Sequence, residues 1–89
     1  MIVTAELSLY PLASEYEASI IQFIQVLKQE EDITVHTHAM SSYVKGESQK
    51  VFDAVHKALL KVNEKTETIS LVIKMINRDL PVERGFLNL

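Results

Sequence analysis

The spacing of hydrophobic residues changes repeatedly along this chain, and the order of these changes is what most restricts its fold. The first stretch, "IVTAELSLY" at residues 2–10, alternates so that Val3, Ala5, Leu7 and Leu9 share one face, as in a half-buried strand that Pro11 ends. Similar alternation recurs at 33–39, 42–47 and 68–76, whereas residues 20–27 and 51–62 have helical spacing. The predicted order is therefore strand, helix, strand, strand, helix, strand.

The helix boundaries are predicted from capping signals. Ser14, followed three residues later by Glu17, is typical of a capping box, and the charged stretch "KQEED" closes the segment, which predicts a helix from about 14 to 30. Ser48 is the expected cap of the second helix. The predicted apolar stripe of that helix consists of Val51, Phe52, Val55, Ala58, Leu59 and Val62.

This order of elements predicts an α+β fold of the ferredoxin-like type. Right-handed crossovers arrange βαββαβ as a four-stranded antiparallel sheet with both helices on one face and strand order 4-1-3-2. A chain of 89 residues is too short to fill a second core, so we expect one domain over 1–89. The hydrophobic residues of 78–89 follow no clear helix or strand period, and we expect these residues to form an irregular tail.

The stretch "HTHAMSSYVKGE", at residues 36–47, is expected to form a hairpin that turns at Met40 and Ser41. That turn would put residue 37 opposite 44, His38 opposite Tyr43, and His36 opposite residue 45. Val35, Thr37, Ala39, Ser42, Val44 and Gly46 would then lie beneath the helices. The bare face of the sheet would receive His36, His38, Tyr43 and Lys45, together with Glu6, Ser8, Ser70, Val72, Lys74 and Ile76 from the other strands.

Composition excludes several classes of function. The chain has no cysteine, which rules out disulfides and thiolate chemistry and suits a cytoplasmic location. Its formal net charge is -3, with nine basic residues against twelve acidic ones and no basic stripe, so we expect no nucleic-acid partner. It contains no apolar run near the roughly 20 residues of a membrane span, and its start does not read as a signal peptide, so we expect no membrane partner.

The two histidines of "HTH" suggest a metal site, but the surrounding residues argue against one. A metal needs further nitrogen or oxygen ligands, and Glu6 is the only acidic residue expected on the bare face. Lys45, predicted to lie beside His36, would repel a cation. We therefore expect no metal and no bound cofactor. Ser41 and Ser42 lack a glycine-flanked elbow and an orienting acid, so we expect the protein not to be an enzyme.

Three segments of the chain resemble one protein family. "MIVTAELSLYPL", "AMSSYVKGE" and "LVIKMINRD" are similar, in this order, to the small thiamine-binding proteins of ferredoxin-like fold. Met40, Ser41, Ser42 and Gly46 match the family's hairpin motif, with Ser42 in place of a threonine. The last strand matches at Lys74, Ile76 and Arg78, so the resemblance covers most of the chain up to Arg78. Lys45 stands where the family often has an acidic residue.

The resemblance implies non-enzymatic binding of thiamine or its hydroxymethylpyrimidine moiety, in salvage, transport or sensing. The groups available for this ligand are hydroxyls, a carboxylate and aromatic rings, and the candidate residues are Glu6, Thr37, His38, Ser41, Ser42 and Tyr43. They fall on both faces of the predicted sheet, and the side of the pocket stays open. The alternative function is an oligomeric structural module, or a sensor of another small molecule.

We also expect a homo-oligomer, either a dimer or a tetramer. The bare face carries Ile2, Val72 and Ile76 besides its polar residues, and the tail adds Phe86, Leu87 and Leu89. Apolar surface of this kind is often an interface between subunits. The resemblance implies the same.

Overall fold

The computed structural model describes residues 1–83, and it contains the six elements in the predicted order. These elements are β1 (Ile2–Pro11), α1 (Tyr16–Lys28), β2 (Thr34–Thr37), β3 (Ser42–Glu47), α2 (Ser48–Asn63) and β4 (Ile69–Ile76). Phe86, Leu87 and Leu89, which we predicted to take part in an interface, lie outside the described residues.

The four strands form one antiparallel sheet in the order β2-β3-β1-β4, which confirms the predicted ferredoxin-like α+β fold. This order is 4-1-3-2 counted from the other edge. β1 is a central strand, paired with β3 from Ile2 to Leu7 and with β4 from Thr4 to Pro11. Residues on β1 therefore have neighbours on both sides, and this strand forms the middle of both faces of the sheet.

The core lies between the sheet and the two helices. The predicted inward face of β1 is confirmed, because Val3, Ala5, Leu7 and Leu9 are all buried. The buried face of the second helix differs from prediction: Phe52 is 49% exposed, Ala54 is 1% exposed in its place, and Leu59 is only partly buried against the core. Each residue turns an α-helix by about 100°, so Phe52 is rotated away from the buried Val51. The core face of α2 thus consists of Val51, Ala54, Val55, Ala58 and Val62.

Both predicted helix caps are wrong. The α1 helix begins at Tyr16 after Glu15, without a side-chain cap, so Ser14 and Glu17 do not form a capping box. The Leu12 amide donates to the Thr68 carbonyl at 2.9 Å, which keeps the chain beside β4 and moves the turn to residues after Leu12.

At the start of α2, Glu47 replaces Ser48 as the cap. The Glu47 carboxylate accepts hydrogen bonds from the amides of Gln49, at 2.9 Å, and Lys50, at 3.4 Å. Ser48 is already the first helical residue, and its amide donates to the Met1 carbonyl at 2.8 Å. The last residue of β3 thus caps the helix directly, and no loop separates these two elements.

The hairpin between β2 and β3 is shifted by two residues from the predicted register. His36 lies opposite Tyr43, and Thr34 lies opposite Lys45. The His38 amide donates to the Ser41 carbonyl at 2.9 Å, so the turn is centred on Ala39 and Met40. Because a shift of two residues preserves which face each side chain occupies, the predicted faces are retained although the predicted pairs are wrong.

The Glu47 cap predicts a component of acid sensitivity. Desolvation raises the pKa of the Glu47 carboxyl, but hydrogen bonds from Lys50, Gln49 and Ser48 and the charge of the N-terminal amino group outweigh it, so the pKa lies below its usual value. A carboxyl whose pKa is lower in the folded state stabilises the fold above its unfolded-state pKa, and this contribution is lost as pH falls through the folded-state value.

We therefore expect Glu47→Gln to lower the urea midpoint at neutral pH and to lose this difference from wild type as pH falls through the lowered pKa of the Glu47 carboxyl. Urea titrations at a series of pH values measure the difference. Glu31→Gln, which changes an exposed carboxylate in the turn after α1, is the matched control. A Glu47→Gln deficit that stays constant with pH would contradict the role of the charge.

Candidate ligand-binding groove

The chain after β4 folds back across the face of the sheet that the helices leave bare. We call residues 77–83 the C-terminal strap. The Thr4 hydroxyl donates to the Arg78 carbonyl at 2.7 Å and accepts from the Leu80 amide at 3.1 Å. Within the strap, Val82 is only 2% exposed. The described part of the predicted tail is indeed without helix or strand, but it is packed against the sheet.

A second contact to the strap comes from Lys45, which lies opposite Thr4 on the neighbouring strand. The Lys45 ammonium donates to the Leu80 carbonyl at 2.9 Å and forms an ion pair with Asp79, also at 2.9 Å. Lys45 therefore does not lie across from His36, as we predicted, and its charge is directed to the strap.

A groove of about 900 Å³ lies between the strap and the sheet. The sheet contributes Glu6, Tyr43 and Lys74 to its lining, the β2–β3 turn contributes His38, and the strap contributes Leu80, Pro81 and Glu83. Pockets that hold small molecules have volumes of about 300–1,000 Å³ and combine apolar walls with a few polar groups. The groove has this size and this composition.

Polar and aromatic groups meet at the hairpin end of the groove. The rings of His38 and Tyr43 have centroids 4.6 Å apart and are tilted by 48°. Glu6, on the adjacent strand, accepts a hydrogen bond from the Ser41 hydroxyl at 3.0 Å. The Lys74 ammonium is 3.7 Å from the other Glu6 oxygen, and this lysine side chain is 83% exposed. A long ion pair of this exposure is weak, so a ligand can compete for the Glu6 carboxylate.

The structure brings four of the six candidate residues together. Glu6, His38 and Tyr43 line the groove, and Ser41 joins them through its hydrogen bond to Glu6. Thr37 and Ser42 pair with each other on the helix side of the sheet, where Ser42 is 5% exposed and Thr37 lies exposed on the edge strand. These two residues are therefore separated from the groove by the sheet itself.

The strap residues were missed in the sequence. Leu80, Pro81 and Glu83 lie in a stretch with no hydrophobic period, so nothing in their spacing indicates that they contact the sheet. The presence of Lys45 on a face with few acids was no clear signal either, because a lysine exposed to solvent needs no partner.

The charges of the groove favour a positively charged ligand. Among the described residues of the lining, Glu6 and Glu83 contribute two carboxylates, against the ammonium of Lys74. The His38 and Tyr43 rings add aromatic faces, which attract cations and stack against other rings. Together these groups suit a flat, cationic molecule with hydrogen-bond donors.

A second depression, of about 520 Å³, lies between the start of α1 and the turn before β4. None of the described residues that line it is aromatic, and its charged groups are one acid, Glu15, and one base, Lys65. It offers less to a specific ligand than the groove does.

Residues 1–83 lack two further features. No three histidine, aspartate or glutamate side chains of this part of the chain are grouped so that they could hold a metal ion. Neither of the helices there has the length and apolar character needed to cross a lipid bilayer.

The fold and the groove define an α+β protein of ferredoxin-like architecture with a lined cleft on its open sheet face. The model of the YKOF-related family matches residues 2–77, so the chain belongs to this family. No curated protein matches the chain.

Solved structures share the fold at low sequence identity. A hypothetical protein from Methanocaldococcus jannascii is 24% identical, with a TM-score of 0.78, over 88% of this chain and 81% of its own. A protein from Streptococcus pneumoniae is 20% identical, with a TM-score of 0.81, over 90% of both chains. A proposed thiamine biosynthesis/salvage protein from Thermotoga maritima is 14% identical, with a TM-score of 0.79, over 93% of this chain and 92% of its own.

Proposed function

We propose that this protein binds thiamine or its hydroxymethylpyrimidine moiety in the groove, without catalysing a reaction, and acts in salvage, transport or sensing in the cytoplasm. The observation that carries the proposal is the Glu6 carboxylate beside the His38–Tyr43 ring pair. The description of the Thermotoga maritima protein, which has the same fold, supports the choice of ligand.

The chemistry of thiamine matches these groups. Thiamine joins an aminopyrimidine ring to a cationic thiazolium ring. A carboxylate accepts hydrogen bonds from an amino group and attracts a cation, so Glu6 can serve either half. The His38 and Tyr43 rings offer faces for stacking, and Leu80 and Pro81 offer an apolar surface. Each of these groups recognises the ligand, and the proposal assigns none of them to a bond-breaking step.

Calorimetry with thiamine and with hydroxymethylpyrimidine tests the proposal. We expect saturable binding of at least one of them with a Kd of about 1 μM or tighter, which corresponds to about -8 kcal/mol. Absence of heat, together with an unchanged melting temperature at ligand concentrations near millimolar, would refute it.

Ser42→Ala distinguishes the two faces of the sheet in the same titration. The Ser42 side chain lies on the helix side, so we expect this substitution to leave the Kd unchanged within about twofold, a free-energy difference of about 0.4 kcal/mol. A loss of affinity in a variant that remains folded would instead place the ligand between the sheet and the helices.

The second candidate function is an oligomeric structural module or a sensor of another small molecule. It is favoured by apolar side chains on the bare face, where Ile2 is 46%, Val72 is 54% and Ile76 is 45% exposed. Apolar residues grouped on one face favour association. The proposal therefore includes a homo-oligomer, either a dimer or a tetramer, and a protein of this kind can also bind a ligand.

A further inference from the structure

We infer that Thr4 and Lys45 are positioning residues that hold the C-terminal strap as a wall of the groove, and that Glu83 in this strap selects a cationic ligand. The inference rests on the proposed function, since it concerns the same groove. Thr4, Lys45 and Glu83 do not belong to the predicted set of ligand-binding residues, and they are given a role in the choice of ligand.

The Thr4 hydroxyl is suited to hold an irregular segment. Thr4 is on the bare face of a central strand and is only 8% exposed, because the strap covers it. Its hydroxyl oxygen both donates to Arg78 and accepts from Leu80, so one side chain satisfies two backbone groups of the strap. An irregular segment has no hydrogen-bond ladder like that of a strand. Its backbone N–H and C=O groups therefore need side-chain partners when they are buried.

Lys45 holds the same short segment from the adjacent strand. Its side chain is 20% exposed, and its ammonium contacts both the Leu80 carbonyl and the Asp79 carboxylate. Leu80 is thus held through its amide by Thr4 and through its carbonyl by Lys45. This double attachment fixes the position of the residues on either side of Leu80.

The attachment matters for the groove because the strap carries part of its lining. Leu80, Pro81 and Glu83 contribute to the groove only while the strap lies on the sheet. Release of the strap would remove an apolar wall and the Glu83 carboxylate from the groove, leaving Glu6 with Lys74 beside it. Cation selectivity should therefore depend on Thr4 and Lys45, although neither residue supplies a negative charge.

The experiment compares thiamine, which is cationic, with hydroxymethylpyrimidine, which is uncharged at neutral pH. We expect Thr4→Val to weaken thiamine binding by about tenfold, or about 1.4 kcal/mol, and to weaken hydroxymethylpyrimidine binding clearly less. Thr4→Ser keeps the hydroxyl and should therefore bind both compounds with wild-type affinity. Lys45→Met should behave like Thr4→Val, and Lys45→Arg like wild type.

Amide hydrogen exchange at Leu80 provides a readout that does not depend on the ligand. The Leu80 amide donates to Thr4, so its exchange should accelerate in Thr4→Val and stay slow in Thr4→Ser. Glu83→Gln should leave this exchange slow. It should weaken the binding of thiamine, but not of hydroxymethylpyrimidine, by about two- to fivefold, in the range of exposed ion pairs.

The outcomes separate this inference from the proposed function. If the wild-type protein binds neither compound, both fail. If it binds them, but Thr4→Val exposes the Leu80 amide without changing the ratio of the two Kd values, only the role of the strap is overturned. Tighter binding in Thr4→Val would likewise overturn it, because the strap would then be an obstacle rather than a wall. Slow Leu80 exchange in Thr4→Val would show that Thr4 does not hold the strap.

Discussion

Glu6→Gln is expected to weaken thiamine binding by about ten- to a hundredfold, since a hydrogen bond to a charged group contributes about 1.5–3 kcal/mol. The substitution retains the size of the side chain and its carbonyl oxygen but removes the negative charge. Glu6 lies beside the ring pair of His38 and Tyr43, at the point where an aminopyrimidine or a thiazolium could be held. Calorimetry at neutral pH measures the change in Kd.

Lys74→Gln is the matched control and should act in the opposite direction. Its ammonium lies 3.7 Å from Glu6 and competes with a cationic ligand for the carboxylate. Removing this charge should leave thiamine affinity unchanged or increase it by up to about fivefold, the range of an exposed ion pair. If Glu6→Gln and Lys74→Gln both leave the Kd unchanged in folded protein, Glu6 does not contact the ligand.

Val72→Lys is expected to convert the proposed oligomer to monomers at micromolar concentration. Val72 is 54% exposed on the bare face of the sheet, opposite Ser8 and two residues along β4 from Lys74. A two-fold interface repeats each residue in both subunits, so a lysine introduced there adds two charges to an apolar contact. A stable interface buries about 1,200–2,000 Å². Light scattering gives the mass of each variant.

Ile21→Lys makes the same change on the opposite side of the molecule. Ile21 is 47% exposed on α1, so it resembles Val72 in exposure but does not lie on the bare face. We expect this variant to keep the wild-type mass. Dissociation by Ile21→Lys alone would move the interface to the helices, and a monomeric wild-type protein would contradict the assembly altogether.

Much of the candidate site could be predicted because the side-chain period of a strand is two. The hydrophobic alternation of the strands assigns Glu6, His38 and Tyr43 to one face, and the shift of the hairpin did not change this because it was a shift of two residues. The pairs themselves were predicted wrongly, because they depend on the hydrogen bond between His38 and Ser41 that closes the turn. Alternation alone carries no information about that bond.

The helix caps failed for a related reason. Ser14 and Ser48 have the residue type that favours a cap, but the cap position depends on where the preceding strand stops pairing. The pairing of Ile2 with Glu47 carries β3 up to the first residue of α2, so the glutamate reaches the free amides first. Local preference was overridden by strand pairing that joins residues 45 positions apart.

The sequence by itself determined the order of the elements, the ferredoxin-like topology and the face that each strand residue occupies. These properties follow from hydrophobic period and from the handedness of crossovers, which are local or nearly universal. Only the tertiary structure decided that the groove lies on the bare face, which leaves Thr37 and Ser42, on the helix side as predicted, outside it. The physical reason is the strap: residues 77–83 have no period of their own, and their position depends on hydrogen bonds to Thr4 and Lys45, more than 30 residues away along the chain.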